Sequence, residues 1–227
     1  MGKVLHRFNP ALEVETAFAP PPCLTLVDCR HPARAAAEAF VEARFQSAFG
    51  ARVHSHYPHI ATRLGPCGEV LAAAGVRFAG SDPLFLETYL DEPVEQALAR
   101  TFGRPVARDG VVEIGAFAAV ALHDAFALFS SLAAWLDDPC RKRFAVATAR
   151  PELERLLRRA GFQLRALASA DPARLGPAAA DWGTYYGPGP KVFGGEVAGS
   201  AALPLLRERL RLRAVHRRLR GSGTNRR

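Results

Sequence analysis

Lysine is almost missing from this chain of 227 residues: it occurs only as Lys3, Lys142 and Lys191, and arginine supplies the rest of the 30 basic residues. With alanine abundant as well, the skew reads as coding bias rather than chemistry. Cysteine is scarce too. Cys23, Cys29, Cys67 and Cys140 contain no CxxC pair and no spacing that a zinc site or a disulfide framework would require in a chain this long. Reduced, mostly buried thiols are expected. There is no unbroken apolar run of spanning length: Ala116 to Leu136 is interrupted by His123, Asp124, Ser130 and Ser131, and its apolar positions recur with helical period. It predicts a core helix. The first residues lack an apolar signal core, and His6 stands where a myristoylation signal needs Ser or Thr. These absences predict a cytoplasmic protein with no transmembrane segment.

The charge that is present is unevenly placed. Net charge is +8 at pH 7, yet the stretch from Leu203 to Arg227 alone carries nine arginines against one acid, Glu208. The body is therefore close to neutral, which excludes a fold whose whole face grips a polyanion; no specific nucleic-acid partner is expected. Length and near-neutral mean hydropathy allow one sizeable core. The chain divides into a proline-punctuated arm (1–22), a single domain (23–202) and a basic tail (203–227). As a helix the tail has two offset apolar stripes, Leu203, Leu206 and Leu210 against Leu212, Val215 and Leu219, which argues against deep membrane insertion. A solvated end or an attraction for an acidic carrier protein both fit it.

Within the body, Leu24–Val27 reads as a short buried strand, followed by a helix from Pro32 to about Phe49 that stops at Gly50. Two strand-like pieces, Arg52–Leu64 and Glu69–Phe78, flank a Gly65-Pro66-Cys67-Gly68 turn. Pro93 opens a helix ending near Gly103. Val111–Gly115 is a strand with one embedded acid, Glu113. A long helix from Ala121 follows, with Leu122, Phe126, Phe129, Leu132, Ala133 and Leu136 on one stripe. Phe144–Thr148 is a buried strand, Pro151–Ala160 a helix and Phe162–Ala168 a further strand. This is an α/β order with antiparallel hairpins inside a mixed sheet.

Several blocks resemble a known family. Leu84-Phe85-Leu86-Glu87-Thr88-Tyr89-Leu90-Asp91-Glu92-Pro93-Val94-Glu95, Arg108, Val111–Gly115, Ala147-Thr148-Ala149-Arg150, Ala170–Gly176 and Asp181-Trp182-Gly183-Thr184-Tyr185-Tyr186 are similar, in the same order, to thermostable hemolysin sequences. The departure is Ala116-Phe117, where Asn-Leu is expected. The element order resembles the GNAT acyltransferase fold, a mixed, mostly antiparallel central sheet flanked by helices. More weakly, Gly75-Val76-Arg77 and the Glu-bearing strand are similar to acyl-homoserine-lactone synthases. The resemblance implies transfer of an acyl group from a thioester to an amine, with no permanently bound cofactor. It also implies that the Val111–Gly115 strand splays from the Phe144–Thr148 strand, leaving backbone groups of Gly115 and Ala116 to hold a pantetheine arm.

An amine attacking a thioester must lose a proton, and Glu113 is the candidate general base, its apolar neighbours raising its pKa if it points inward. The alternative is a structural pair with Arg77 or Arg108. Tyr185 and Tyr186 are candidate proton donors to the leaving thiolate, or with Trp182 they wall an acyl pocket; plain loop packing is the competing reading. Phe85 and Tyr89 resemble a lid and Glu87 a contact for a cationic amine, though a surface turn also fits. With Arg77, Gly115, Ala116, Phe117, Thr148 and Trp182 they make up the expected substrate-binding set. The glycine-rich phosphate loop of ordinary members is missing before the long helix. A carrier-protein thioester is thereby favoured over coenzyme A. His54, His56 and His59 do not make a metal set, and none is expected. An N-acyltransferase for a metabolite or signal leads; a membrane-active lipid-binding protein and a non-catalytic acyl-binding module are the alternatives.

Overall fold

The computed structural model describes residues 24–198, apart from residues 139 and 160. The arm, the basic tail and Cys23 lie outside the described residues. Seven strands form one sheet: β1 (Thr25–Val27), β2 (His59–Leu64), β3 (Val70–Phe78), β4 (Val111–Ala119), β5 (Phe144–Ala149), β6 (Leu164–Ser169) and β7 (Lys191–Glu196). Their spatial order is β1-β2-β3-β4-β5-β7-β6. Every neighbouring pair is antiparallel except β4 with β5, which is parallel. A parallel pair needs a crossover, and helix α3 (Leu122–Asp137) supplies it.

Helices cover both faces. Helices α1 (Arg34–Phe49) and α2 (Val94–Phe102) pack on one side, where Val41 and Phe45 meet Ile60 and Ala73, and Val94 and Leu98 meet Val111, Phe144 and Val146. Helix α3 packs on the other, with Leu128 and Leu132 against Ala72, Ala74 and Val112. Helix α4 (Pro151–Arg159) shares that second side and lines a cavity with α3. Alternation along β4 therefore sends Val111 and Glu113 toward α1 and α2, and Val112 and Ile114 toward α3. Gly50 and Gly103 end α1 and α2 in the left-handed conformation their sequence positions predict.

The structure departs from the sequence reading in four places. Residues 52–58 are not strand, because β2 begins only at His59, after Pro58. Strand β7, unread in a Gly/Pro-rich region, inserts between β5 and β6. Strand β4 runs to Ala119 and includes a one-residue bulge opposite Ala73–Gly75. The thiols of Cys29 and Cys67 are exposed rather than buried; only Cys140 is partly covered, and burial pushes it up to about 11.

Candidate active site

Strands β4 and β5 pair only through Val111–Phe144, Val112–Ala145 and Glu113–Val146. Beyond that rung they part. The bulge turns Ala116 to φ 46°, a left-handed conformation that alanine rarely adopts, and bends β4 away from its neighbour. The gap opens into a cavity of about 490 Å³, within the range of roughly 300–1,000 Å³ typical of ligand pockets. Phe117, Phe129, Leu132, Ala133, Leu156 and Phe162 are among its walls, and Gly115, Ala116, Thr148 and Tyr185 also line it.

Beside this gap, on the α1 face, lies a polar centre. Glu113 is 1% exposed, and its carboxylate accepts hydrogen bonds from the backbone N–H of Phe85 (2.9 Å) and Leu86 (3.0 Å) and from the Tyr57 hydroxyl (3.2 Å). Burial raises its pKa above the ordinary value, opposed by those backbone hydrogen bonds, by the charge of Arg77 and by Tyr57. Burial, reinforced by the Glu113 charge, holds the Tyr57 phenol well above its usual value and therefore neutral.

The seat of Tyr57 is built by two glycines. Gly75 and Gly115 face each other across β3 and β4, and a Cβ at either one would overlap the Tyr57 ring or hydroxyl. The cross-strand glycine pair thus leaves a slot that the aromatic ring fills, against a residue that itself lines the cavity. Arg77, the cross-strand partner of Glu113, lies over the other part of the ring at 5.4 Å.

A second group of aromatics closes the site. Gly183 at φ 51° lets the chain pass against Phe49, since a Cβ there would strike the Phe49 carbonyl, and the Thr184 N–H donates to that carbonyl at 2.9 Å. This contact fixes Trp182, Tyr185 and Tyr186. The Tyr185 hydroxyl donates to the Thr148 carbonyl at 3.3 Å, and the Tyr185 ring stacks on Phe45. Tyr186 shares a short hydrogen bond with Tyr89, while Phe85 packs on Trp182. Burial raises all three tyrosines, Tyr89 to about 12, so each phenol stays protonated near neutrality.

Of the residues singled out in the sequence, Gly115, Ala116, Phe117, Thr148 and Tyr185 line the cavity, whereas Glu113, Phe85, Tyr89, Trp182 and Tyr186 form the polar and aromatic centre beside it. Glu113 is not among the residues that line the cavity: strand alternation turns it to the α1 face. Two readings are corrected. Glu87 does not wait for a cationic amine. Its carboxylate is engaged by Arg108 (2.7 and 2.9 Å) and by the backbone N–H groups of Leu84 and Val94, and although burial opposes it, these bonds hold Glu87 down to about 2. Arg108 is thereby committed to Glu87 and Glu95, not to Glu113. Arg77 acts on Tyr57 and on the Glu113 charge. The residue missed from sequence was Tyr57, whose only signal is the Gly75–Gly115 register.

At the start of α3 the structure offers little to a pyrophosphate. Ala121 gives no side-chain cap, and the first turn carries Asp124, which is buried and paired with Arg63 at 2.9 Å. An acid in that turn already answers the positive end of the helix dipole. Among the described residues, no helix is long and apolar enough to cross a membrane. His56 pairs with Glu42 and His54 with Asp181.

The fold has solved relatives. BjaI, a CoA-dependent acyl-homoserine lactone synthase solved with MTA, superposes with a TM-score of 0.56 at 13% identity, covering 83% of this chain and 89% of that one. TofI, in a ternary complex with an inhibitor and MTA, gives 0.51 at 16% identity, over 80% and 96% of the two chains. FeeM, an N-acyl amino acid synthase from uncultured soil microbes, gives 0.50 at 13% identity, over 76% and 93%. At these identities the likeness is one of fold, and the sheet is the GNAT-like mixed arrangement of a single α/β domain. No curated protein matches the sequence. A family model described as thermostable hemolysin matches residues 27–201.

Proposed function

The chain belongs to the thermostable hemolysin family, and from that membership, the fold and the site we propose that it is an N-acyltransferase moving a fatty acyl group from a thioester to an amine. The observation that carries this reading is the apolar cavity of about 490 Å³ opening in the gap between β4 and β5, beside a buried carboxylate. A cavity of that size and lining suits an alkyl chain, and the unpaired edges of the two strands suit the amide-bearing arm of the donor.

The chemistry follows from the positions. The amine nitrogen attacks the thioester carbonyl, a C–N bond forms, and the C–S bond breaks as the tetrahedral intermediate collapses. The amine proton passes to the Tyr57 oxygen as the Tyr57 proton moves to Glu113, because Tyr57 lies between that carboxylate and Gly115 at the cavity. Glu113 is then the general base acting at one remove. Tyr185, which lines the cavity, turns its hydroxyl from the Thr148 carbonyl to the departing sulfur and gives it a proton, and the proton that Glu113 has taken replaces it through solvent as the products leave. Because Asp124 and the uncapped Ala121 stand where a pyrophosphate would sit, an acyl carrier protein is the preferred donor over free coenzyme A.

Native mass spectrometry of the purified protein tests the reading. A fatty acyl thioester, fatty acid or N-acyl amine bound at one per chain supports it. Filling the cavity by Ala133→Phe should remove that ligand. A copurified phospholipid retained by Ala133→Phe would overturn the proposal.

A further inference from the structure

The cavity has a polar corner. Thr148 and Arg150 both line it at the C-terminal end of β5, and in extended chain residues two apart project to the same side. Thr148 Oγ1 and Arg150 Nε are both buried without a hydrogen-bond partner. Buried donors left unpaired are rare because each forfeits its bonds to water. Both belong to residues that line the cavity, and together they mark a place that lacks an acceptor atom.

The Arg150 guanidinium lies over the Phe49 ring at 4.6 Å and near the Tyr185 ring at 6.0 Å. Stacking fixes the plane of the group and leaves its edge to meet a planar acceptor. Glu152 Oε2 stands 3.5 Å from Arg150 Nε, close enough to offset part of the positive charge but without making a hydrogen bond. That partial offset favours a monoanion over a dianion. Apart from Glu152, Glu196 and the Tyr185 phenol the rest of the lining is apolar, and Arg150 is the cation among the residues that line it.

We propose that Thr148 and Arg150 form a carboxylate-binding site in the cavity wall at the end of β5, and that the acceptor is therefore an amino acid or a related amino carboxylate. The inference rests on the acyl-transfer reading and names its second substrate. The carboxylate accepts from the Thr148 hydroxyl and the Arg150 edge, and this holds the neighbouring amine beside Tyr57 and the thioester carbon. The same two donors would also suit a phosphate on the pantetheine arm of the donor, so the test separates the two sources.

The full-length protein is titrated calorimetrically with N-dodecanoylglycine, its methyl ester and S-dodecanoyl phosphopantetheine. The wild type should bind the acid at least about tenfold more tightly than the ester, the scale of one charge-assisted hydrogen bond. Arg150→Met, which keeps an apolar contact on Phe49 without the charge, should abolish that preference, and Thr148→Val should reduce it. Near-UV circular dichroism spectra of both variants that superimpose on the wild type show that the fold survives. Equal affinity of wild type for acid and ester overturns the carboxylate site and leaves the acyl cavity standing. So does a pair of variants that weaken only the phosphopantetheine probe. Failure of wild type to bind either the acid or the ester overturns both the site and the reading on which it rests.

Discussion

Glu113, buried, and Glu87, partly buried, are two acids twenty-six positions apart whose environments push them in opposite directions. Glu113 is raised by burial, so its ability to take a proton appears only above a pH higher than the ordinary carboxylate value of 4.5. Given a substrate pair, the rate should climb with pH through that raised value, and Glu113→Gln should cost about 10²-fold or more, the usual scale for losing a general base. A variant with wild-type rate would remove Glu113 from the mechanism. Glu87 is lowered to about 2 from 4.5, so it contributes stability above the ordinary value, and that contribution is lost as pH falls from about 4.5 toward 2. Urea unfolding at a series of pH values should show the wild type losing stability across this window. Glu87→Gln should be less stable at neutral pH and flatter in acid; parallel curves would contradict the brace. The embedded acid in an apolar strand was legible in the sequence as a special residue, but which of the acids was site and which was brace was not. That depends on Arg108 meeting Glu87, 21 residues away in the chain, and on Tyr57 reaching Glu113 from 56 away.

Among the elements, β4 carries most of what is distinctive. Its Val-Val-Glu-Ile-Gly run announced a buried strand, and the parallel rungs to β5 stop where the resemblance implied a splay. The bulge itself was hidden, because alanine at Ala116 gives no sign of a left-handed residue; glycine would have. Ala116→Gly should relieve that strain and leave stability equal or higher, while Ala116→Val should lower it by about 1–3 kcal/mol, a β-branched side chain being badly placed at positive φ. Thermal unfolding of the two variants checks this, and a destabilised glycine variant would mean that the conformation is not strained. Strand β7 escaped the sequence reading because Gly194 and Gly195 break its apolar pattern. In the sheet, Leu98 would have to shift for a Cβ at Gly194, and a Cβ at Gly195 would sit tight against the Gln163 carbonyl. The stretch before Pro58 failed in the other direction, since its residues have strand-like composition but their role is to carry Tyr57 across the sheet.

At the scale of the whole molecule, a mixed sheet with one parallel pair provides a device that an all-antiparallel sheet lacks: two strands that share a beginning and diverge toward the same end. The divergence makes the cavity, α3 and α4 wall it, and the segment pinned to the end of α1 by Gly183 brings Tyr185 to its wall. Fold class was legible because element order and turn residues are local signals. The cavity was not, because its walls come from six separated stretches of the chain. The central claim is that this cavity holds the acyl chain, and photolabelling with a dodecanoyl thioester bearing a terminal diazirine tests it most directly. Peptide mapping should place the label on Phe129, Leu132, Leu156 or Phe162, and Ala133→Phe should abolish it. Labelling confined to the exposed residues Val120 and Leu122, or labelling undiminished in Ala133→Phe, would contradict the account.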